Sequence, residues 1–125
     1  MTNPISTYPN AKDPQSPLDI RPVAGRIGAE IRGVRLSGSL DAETVRAIDA
    51  ALVRHKVIFF RGQHHLDDAE HEAFGALFGE PVPHPTVPVR DGSKSVLDVH
   101  TEEGFAASSW HTDVTFVDAY PKGSI

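Results

Sequence analysis

The sequence contains no cysteine. That absence excludes a disulfide framework, an iron–sulfur cluster, cysteine-ligated zinc and thiol catalysis. Long hydrophobic runs are also missing: the longest are four residues, 50–53 and 57–60, against the ~20 that a membrane-spanning helix needs. The first residues, Met1 to Pro9, carry neither a basic stretch nor an apolar one, so no signal peptide is expected and a cytoplasmic location is. Positive charge is in short supply. Twelve basic residues stand against seventeen acidic ones, a net charge of −5, which argues against nucleic acid or an anionic membrane as partner. A chain of 125 residues is long enough for one domain with a real core.

Proline is concentrated in residues 1–17, with Pro4, Pro9, Pro14 and Pro17 set among small polar residues. Such a stretch offers little apolar surface to offset its ordering entropy, and it reads as a disordered tail, leaving 18–125 as the folded part. Leu18 and Ile20 alternate with polar residues as in a strand, and 28–34 repeats the pattern with Ala29 and Ile31 on one face. Asp41 stands as an N-cap, Glu43 falls in the first turn, and Val45, Ile48, Ala51 and Leu52 form the stripe of a helix of about 14 residues ending near His55. Residues 56–60 suit a buried strand closed by Gly62. Asp67 and Glu70 have the spacing of a capping box opening a second helix, with Phe74, Leu77 and Phe78 on its buried side, and Gly79 and Pro81 stop it. Residues 81–92 read as a proline-rich loop, 95–99 as a strand, 101–109 as a loop and 110–116 as a strand with Trp110, Thr112, Val114 and Phe116 on one face. Residues 21–61 hold eight basic and four acidic groups, and 62–125 hold three and eleven. The arginines are scattered without interleaved aromatics, so the simple reading is a solvated surface rather than an anion-binding face.

The chemistry-bearing pattern is His-x-Asp, which on a strand puts an imidazole and a carboxylate on one face, as two of the three ligands of a 2-His-1-carboxylate facial triad. The pattern occurs twice, at His65 with Asp67 and at His111 with Asp113. Asp67 already has a role as a helix cap, which leaves His65 in the preceding turn. His111 and Asp113 sit inside an apolar strand pattern, where a carboxylate needs a partner or a metal. His55 suits the end of its helix dipole, His64 and His71 suggest solvent exposure, and His100 follows a strand with no evident companion. His84 differs, because Pro83 and Pro85 fix its backbone direction.

The run Trp110-His-Thr-Asp-Val-Thr-Phe116 resembles the iron(II)/2-oxoglutarate-dependent dioxygenases of the taurine dioxygenase (TauD/TfdA) type. The resemblance extends over 26–34, 54–63, 78–85 and 120–125, and within that family it is strongest to the alkylsulfatases. It implies an α+β fold, a double-stranded β-helix (jelly-roll) core with flanking helices, incomplete in this chain. It further implies His111 and Asp113 as iron ligands, His84 as the histidine that hydrogen-bonds a sulfonate or sulfate oxygen, and Val114 in the substrate pocket. Val87 and Ala107 stand where the taurine enzymes carry a tyrosine and an asparagine, which favours a more apolar substrate. The implied reaction uses iron(II), 2-oxoglutarate and O2 to oxidise an alkyl sulfate ester to an aldehyde and sulfate, releasing succinate and CO2. A taurine or aryloxyalkanoate dioxygenase is the alternative within the class, and a non-catalytic truncated chain that binds an anion or a partner is the alternative outside it. The resemblance puts the third metal ligand and the 2-oxoglutarate-binding arginine downstream of Ile125, so this chain is expected to be inactive alone and the full-length enzyme to be a homo-oligomer.

Overall fold

The structure is a computed structural model that describes residues 8–100 and 107–125. It divides into two compact units, one ending at Leu66 and the other beginning at Asp67.

In the N-terminal unit, strand β1 (Asp19–Pro22) pairs antiparallel with β2 (Ala29–Arg32), with Ile20 opposite Ile31 and Pro22 opposite Ala29. The period-2 pattern decides which side chains go inside: Leu18, Ile20, Ala29 and Ile31 are buried, while Asp19, Arg21 and Arg32 face solvent. Gly28 is required in the connection, where its φ is +92° and a Cβ would lie 2.8 Å from Val23 Cγ2. Helix α1 (Ala42–His55) follows, and Asp41 caps it by accepting from the Thr44 N–H at 3.3 Å and the Thr44 hydroxyl at 2.5 Å. At its end Lys56 turns into the left-handed region (φ +68°) and its N–H returns to the Leu52 carbonyl at 2.8 Å. Ile48 and Ala51 bury the stripe of α1, together with Leu36. Strand β3 (Ile58–Phe59) then pairs parallel with β2, completing the order β1-β2-β3.

Two expectations change here. The run 56–60 makes only two paired residues, and Val57 and Phe59 are 42% and 43% exposed. Among the described residues β3 is an edge strand, so a neighbour supports it on one side only. The Pro-rich stretch also departs from a disordered tail. Its residues 1–7 lie outside the described residues, but Asn10 is fully buried. The Asn10 amide donates to the carbonyls of Ala24 (2.6 Å) and Gly28 (2.8 Å), and its Oδ1 faces His55 Nδ1 at 2.6 Å. A side chain with every polar atom partnered can hold a segment that has little apolar surface of its own.

In the second unit, α2 (Asp68–Ala76) opens with the full capping box: Asp67 accepts from the Glu70 N–H at 2.8 Å, and Glu70 accepts from the Asp67 N–H at 3.4 Å. Phe74 is buried and meets Phe78 edge-on, with centroids 5.2 Å apart. One carboxylate oxygen of Glu72 gathers the segment 93–96. It accepts from the hydroxyls of Ser93 and Ser95 and from the N–H groups of Lys94 (2.7 Å), Ser95 (2.7 Å) and Val96 (3.3 Å).

Two expected strands are not formed. Among the described residues the 95–99 run contributes a single antiparallel bridge, Leu97 with Val89. The 110–116 run carries no strand and turns over 113–116, and Trp110 is fully exposed. A strand is defined by its partner's backbone, and among the described residues no chain lies alongside 110–116 to complete a ladder.

Candidate active site

Of the two His-x-Asp pairs, the first is consumed by local structure. The imidazole Nε2 of His65 lies 2.7 Å from the Leu36 carbonyl, and Asp67 is the α2 cap. His65 also borders a shallow groove of about 240 Å3 with Gly33, Val34, Arg35, Gly62 and Gln63. Gln63 closes that region by accepting from the Leu36 N–H at 2.9 Å and donating to the Val34 carbonyl at 3.0 Å.

The second pair is brought together. His111 Nε2 and Asp113 Oδ1 are 3.2 Å apart, and His111 Nδ1 lies 2.8 Å from the Ser109 carbonyl. A carbonyl accepts only, so Nδ1 carries the proton and donates it. On the neutral ring that leaves the Nε2 lone pair facing a carboxylate oxygen, two electron-rich atoms that a proton or a metal cation reconciles. Hydrogen bonding to the Ser109 carbonyl, then the charge of Asp113, pushes the His111 pKa up from its ordinary value. The separation also fits a metal. Ligands in adjacent octahedral positions at bonds of ~2.1 Å lie about 3 Å apart. A tied Nδ1–H is the arrangement that orients metal-binding histidines generally. The Ser109 carbonyl escaped the sequence reading because a backbone atom leaves no residue-type signal. Among the described residues no group of three His, Asp or Glu side chains surrounds one point.

Val114, next to the pair, has φ +53°. A β-branched residue there is strained, and such strain concentrates at sites where the backbone is over-determined. His84 is half-buried and organised within its own turn: its Nδ1 receives the N–H groups of Thr86 (3.2 Å) and Val87 (3.1 Å). Val87 is 36% exposed and Ala107 is also exposed. The expected dipole role of His55 is corrected: it is fully buried, and burial with the nearby Arg54 charge lowers its pKa, opposite to a cation at a helix end. His64 and His100 are exposed, His100 with Asp98 at 3.9 Å. No helix among the described residues is long and apolar enough to cross a membrane.

Residues 19–125 match the family described as "Taurine catabolism dioxygenase TauD, TfdA family". The chain is 64% identical over 121 residues to an alpha-ketoglutarate-dependent sulfate ester dioxygenase of Pseudomonas putida, covering 97% of this chain and 39% of that protein. It is 56% identical over 114 residues to an alkylsulfatase of Acinetobacter baylyi, covering 91% and 36%. A crystal structure of a taurine dioxygenase from Burkholderia xenovorans superposes with a TM-score of 0.54 at 45% identity, over 60% of this chain and 27% of that one. The chain thus spans less than two-fifths of the length of the curated relatives it matches.

Proposed function

Because this chain belongs to the TauD/TfdA dioxygenase family, we propose that the enzyme containing it is an iron(II)- and 2-oxoglutarate-dependent dioxygenase acting on alkyl sulfate esters. The products are an aldehyde, sulfate, succinate and CO2. The expected architecture is a jelly-roll core with flanking helices, to which these residues contribute only the early part. Bound iron(II) supplies the oxidising chemistry with O2 and 2-oxoglutarate.

The observation that carries the metal assignment is the facing of His111 Nε2 and Asp113 Oδ1 at 3.2 Å, with Nδ1 tied to Ser109. His111 binds through the nitrogen left unprotonated, Asp113 contributes charge, and the Ser109 carbonyl holds the ring's orientation. His84 donates to a sulfate oxygen, and Val114 and Val87 line the path of the alkyl chain beside it. Similarity to proteins named for sulfate ester oxidation supports this substrate class over taurine. So does side-chain chemistry. Val87 and Ala107 offer no polar partner to a small amino-sulfonate, whose ammonium costs several kcal/mol to desolvate unpaired, whereas each buried methylene contributes about 0.8 kcal/mol.

The test compares hexyl sulfate with taurine in the full-length enzyme, with iron(II) and 2-oxoglutarate saturating. Hexyl sulfate is expected to show kcat/KM at least about tenfold higher, the equivalent of two buried methylenes. A preference for taurine overturns the pocket reading of Val87 and Ala107 and puts a taurine dioxygenase in its place.

A further inference from the structure

Among the described residues the imidazole of His84 is hydrogen-bonded from one side only. Its Nδ1 receives the Thr86 N–H at 3.2 Å and the Val87 N–H at 3.1 Å, with the Thr86 hydroxyl at 3.3 Å. Backbone N–H groups donate and never accept, so a proton on Nδ1 would point at two other protons and leave both N–H groups without a partner. The ring therefore carries its proton on Nε2. Two prolines stiffen the turn: Pro85 biases His84 toward an extended backbone, and both have fixed φ.

We infer that the Thr86 and Val87 backbone N–H groups are positioning groups that fix His84 as its Nε2–H tautomer, so that it presents one N–H donor to an oxygen of the substrate's sulfate group. This rests on the reading of His84 as the sulfate contact. A sulfate monoester offers acceptor oxygens and no donor at its head, which matches a ring whose only outward polar atom is N–H. A head group that itself donates meets no lone pair there. Selection of the tautomer before the substrate arrives removes a choice that a free imidazole makes in solution, which is preorganisation of a single donor.

The experiment is nitrogen-15 NMR of histidine-labelled full-length enzyme, with the His84 signals assigned by their loss in His84→Ala. The expected spectrum shows a protonated Nε2 and an unprotonated Nδ1 before substrate is added, and the same pattern with hexyl sulfate bound. A proton on Nδ1, or signals averaged between tautomers, overturns the inference whatever the substrate. Thr86→Pro removes one N–H and is expected to move the signals toward the average and raise KM for hexyl sulfate about tenfold at unchanged kcat. Thr86→Ala keeps the N–H and is expected to preserve both the tautomer and KM. Equal KM changes in the two variants count against the backbone N–H as the operative group. An unchanged KM in His84→Ala overturns the sulfate reading itself, an outcome distinct from a wrong tautomer.

Discussion

Asn10 and His55 lie 45 positions apart and are both fully buried, one on the segment before β1 and the other at the last turn of α1. Because the Asn10 amide is spent on two carbonyls, its oxygen must accept, and His55 must donate from Nδ1. Among the described residues the Nε2 atom of His55 is buried without a hydrogen-bond partner, so none of them would receive the charge if it were protonated there. The same segment is held beside the ring by the Arg54 side chain, which donates to the Ala11 carbonyl at 2.5 Å. Asn10→Ala is expected to cost about 2 kcal/mol, read as a lower denaturation midpoint in urea, since it strands a buried donor. The pH dependence has a definite sign. With its folded-state pKa lowered, His55 supports the fold fully above its ordinary value of about 6.5. Below that value the unfolded chain takes up the proton first, and stability falls with pH until the folded state is protonated as well. Denaturation midpoints between pH 8 and pH 5 in the parent and in His55→Gln check this; an equal slope in both removes His55 from the account. At the proposed metal pair, His111→Ala in the full-length enzyme is expected to abolish succinate formation. His65→Ala, which loses only a bond to the Leu36 carbonyl, is expected to stay within about twofold. Comparable losses would sink the assignment.

Elements that depend on local chemistry were legible in the sequence. Asp41 and Asp67 cap helices because a side chain three residues from its target needs no help from elsewhere, and the stripe around Ile48 and Ala51 follows from the helical repeat. β1 and β2 were legible through alternation, and their partner lies within a short turn. The 110–116 run was not, because alternation specifies a face and leaves open whether a neighbouring backbone exists. The Asn10–His55 bond left no signal at all, being a contact between a loop and a helix end. The His111–Asp113 pair was legible as a candidate, while the carbonyl that orients it was not. The Glu72 anchor also escaped the sequence reading. The Ser93 hydroxyl foremost, with the N–H groups of Ser95 and Lys94 and the Ser95 hydroxyl, holds the carboxyl pKa at about 2, so the anchor is intact at neutral pH. It weakens as the pH falls below about 4.5 and is lost as the carboxylate protonates near 2. Glu72→Ala is expected to accelerate hydrogen exchange at the amides of Lys94, Ser95 and Val96 by about tenfold or more, with the α2 amides little changed. Unchanged exchange at 94–96 would show that the loop holds its own shape.

For the whole molecule, the described residues bring together one His–Asp pair, two of the three ligands the proposed iron site needs, and the chain spans 39% of its sulfate ester dioxygenase relative. The 125-residue chain alone is therefore expected to form no succinate from 2-oxoglutarate when iron(II) is added, because two ligands hold the metal weakly. Trp110, Phe116, Tyr120 and Val99 are each more than half exposed, and exposed large apolar side chains favour self-association. Light scattering on the purified chain should report mixed oligomers, and a single monomeric species would contradict this. The distribution of the core has one more consequence. The buried side chains of Leu18, Ile20, Ala29, Ile31, Leu36, Ile48 and Ala51 all precede Leu66, where the first unit ends. A ribosome releases a chain from its N-terminus at ~5–20 residues per second. The first unit can thus close over its own core within seconds of emerging, before His111 and Asp113 have left the exit tunnel. In the order of synthesis the unit that ends at Leu66 comes first, and His111 and Asp113 follow it onto a scaffold that is already set.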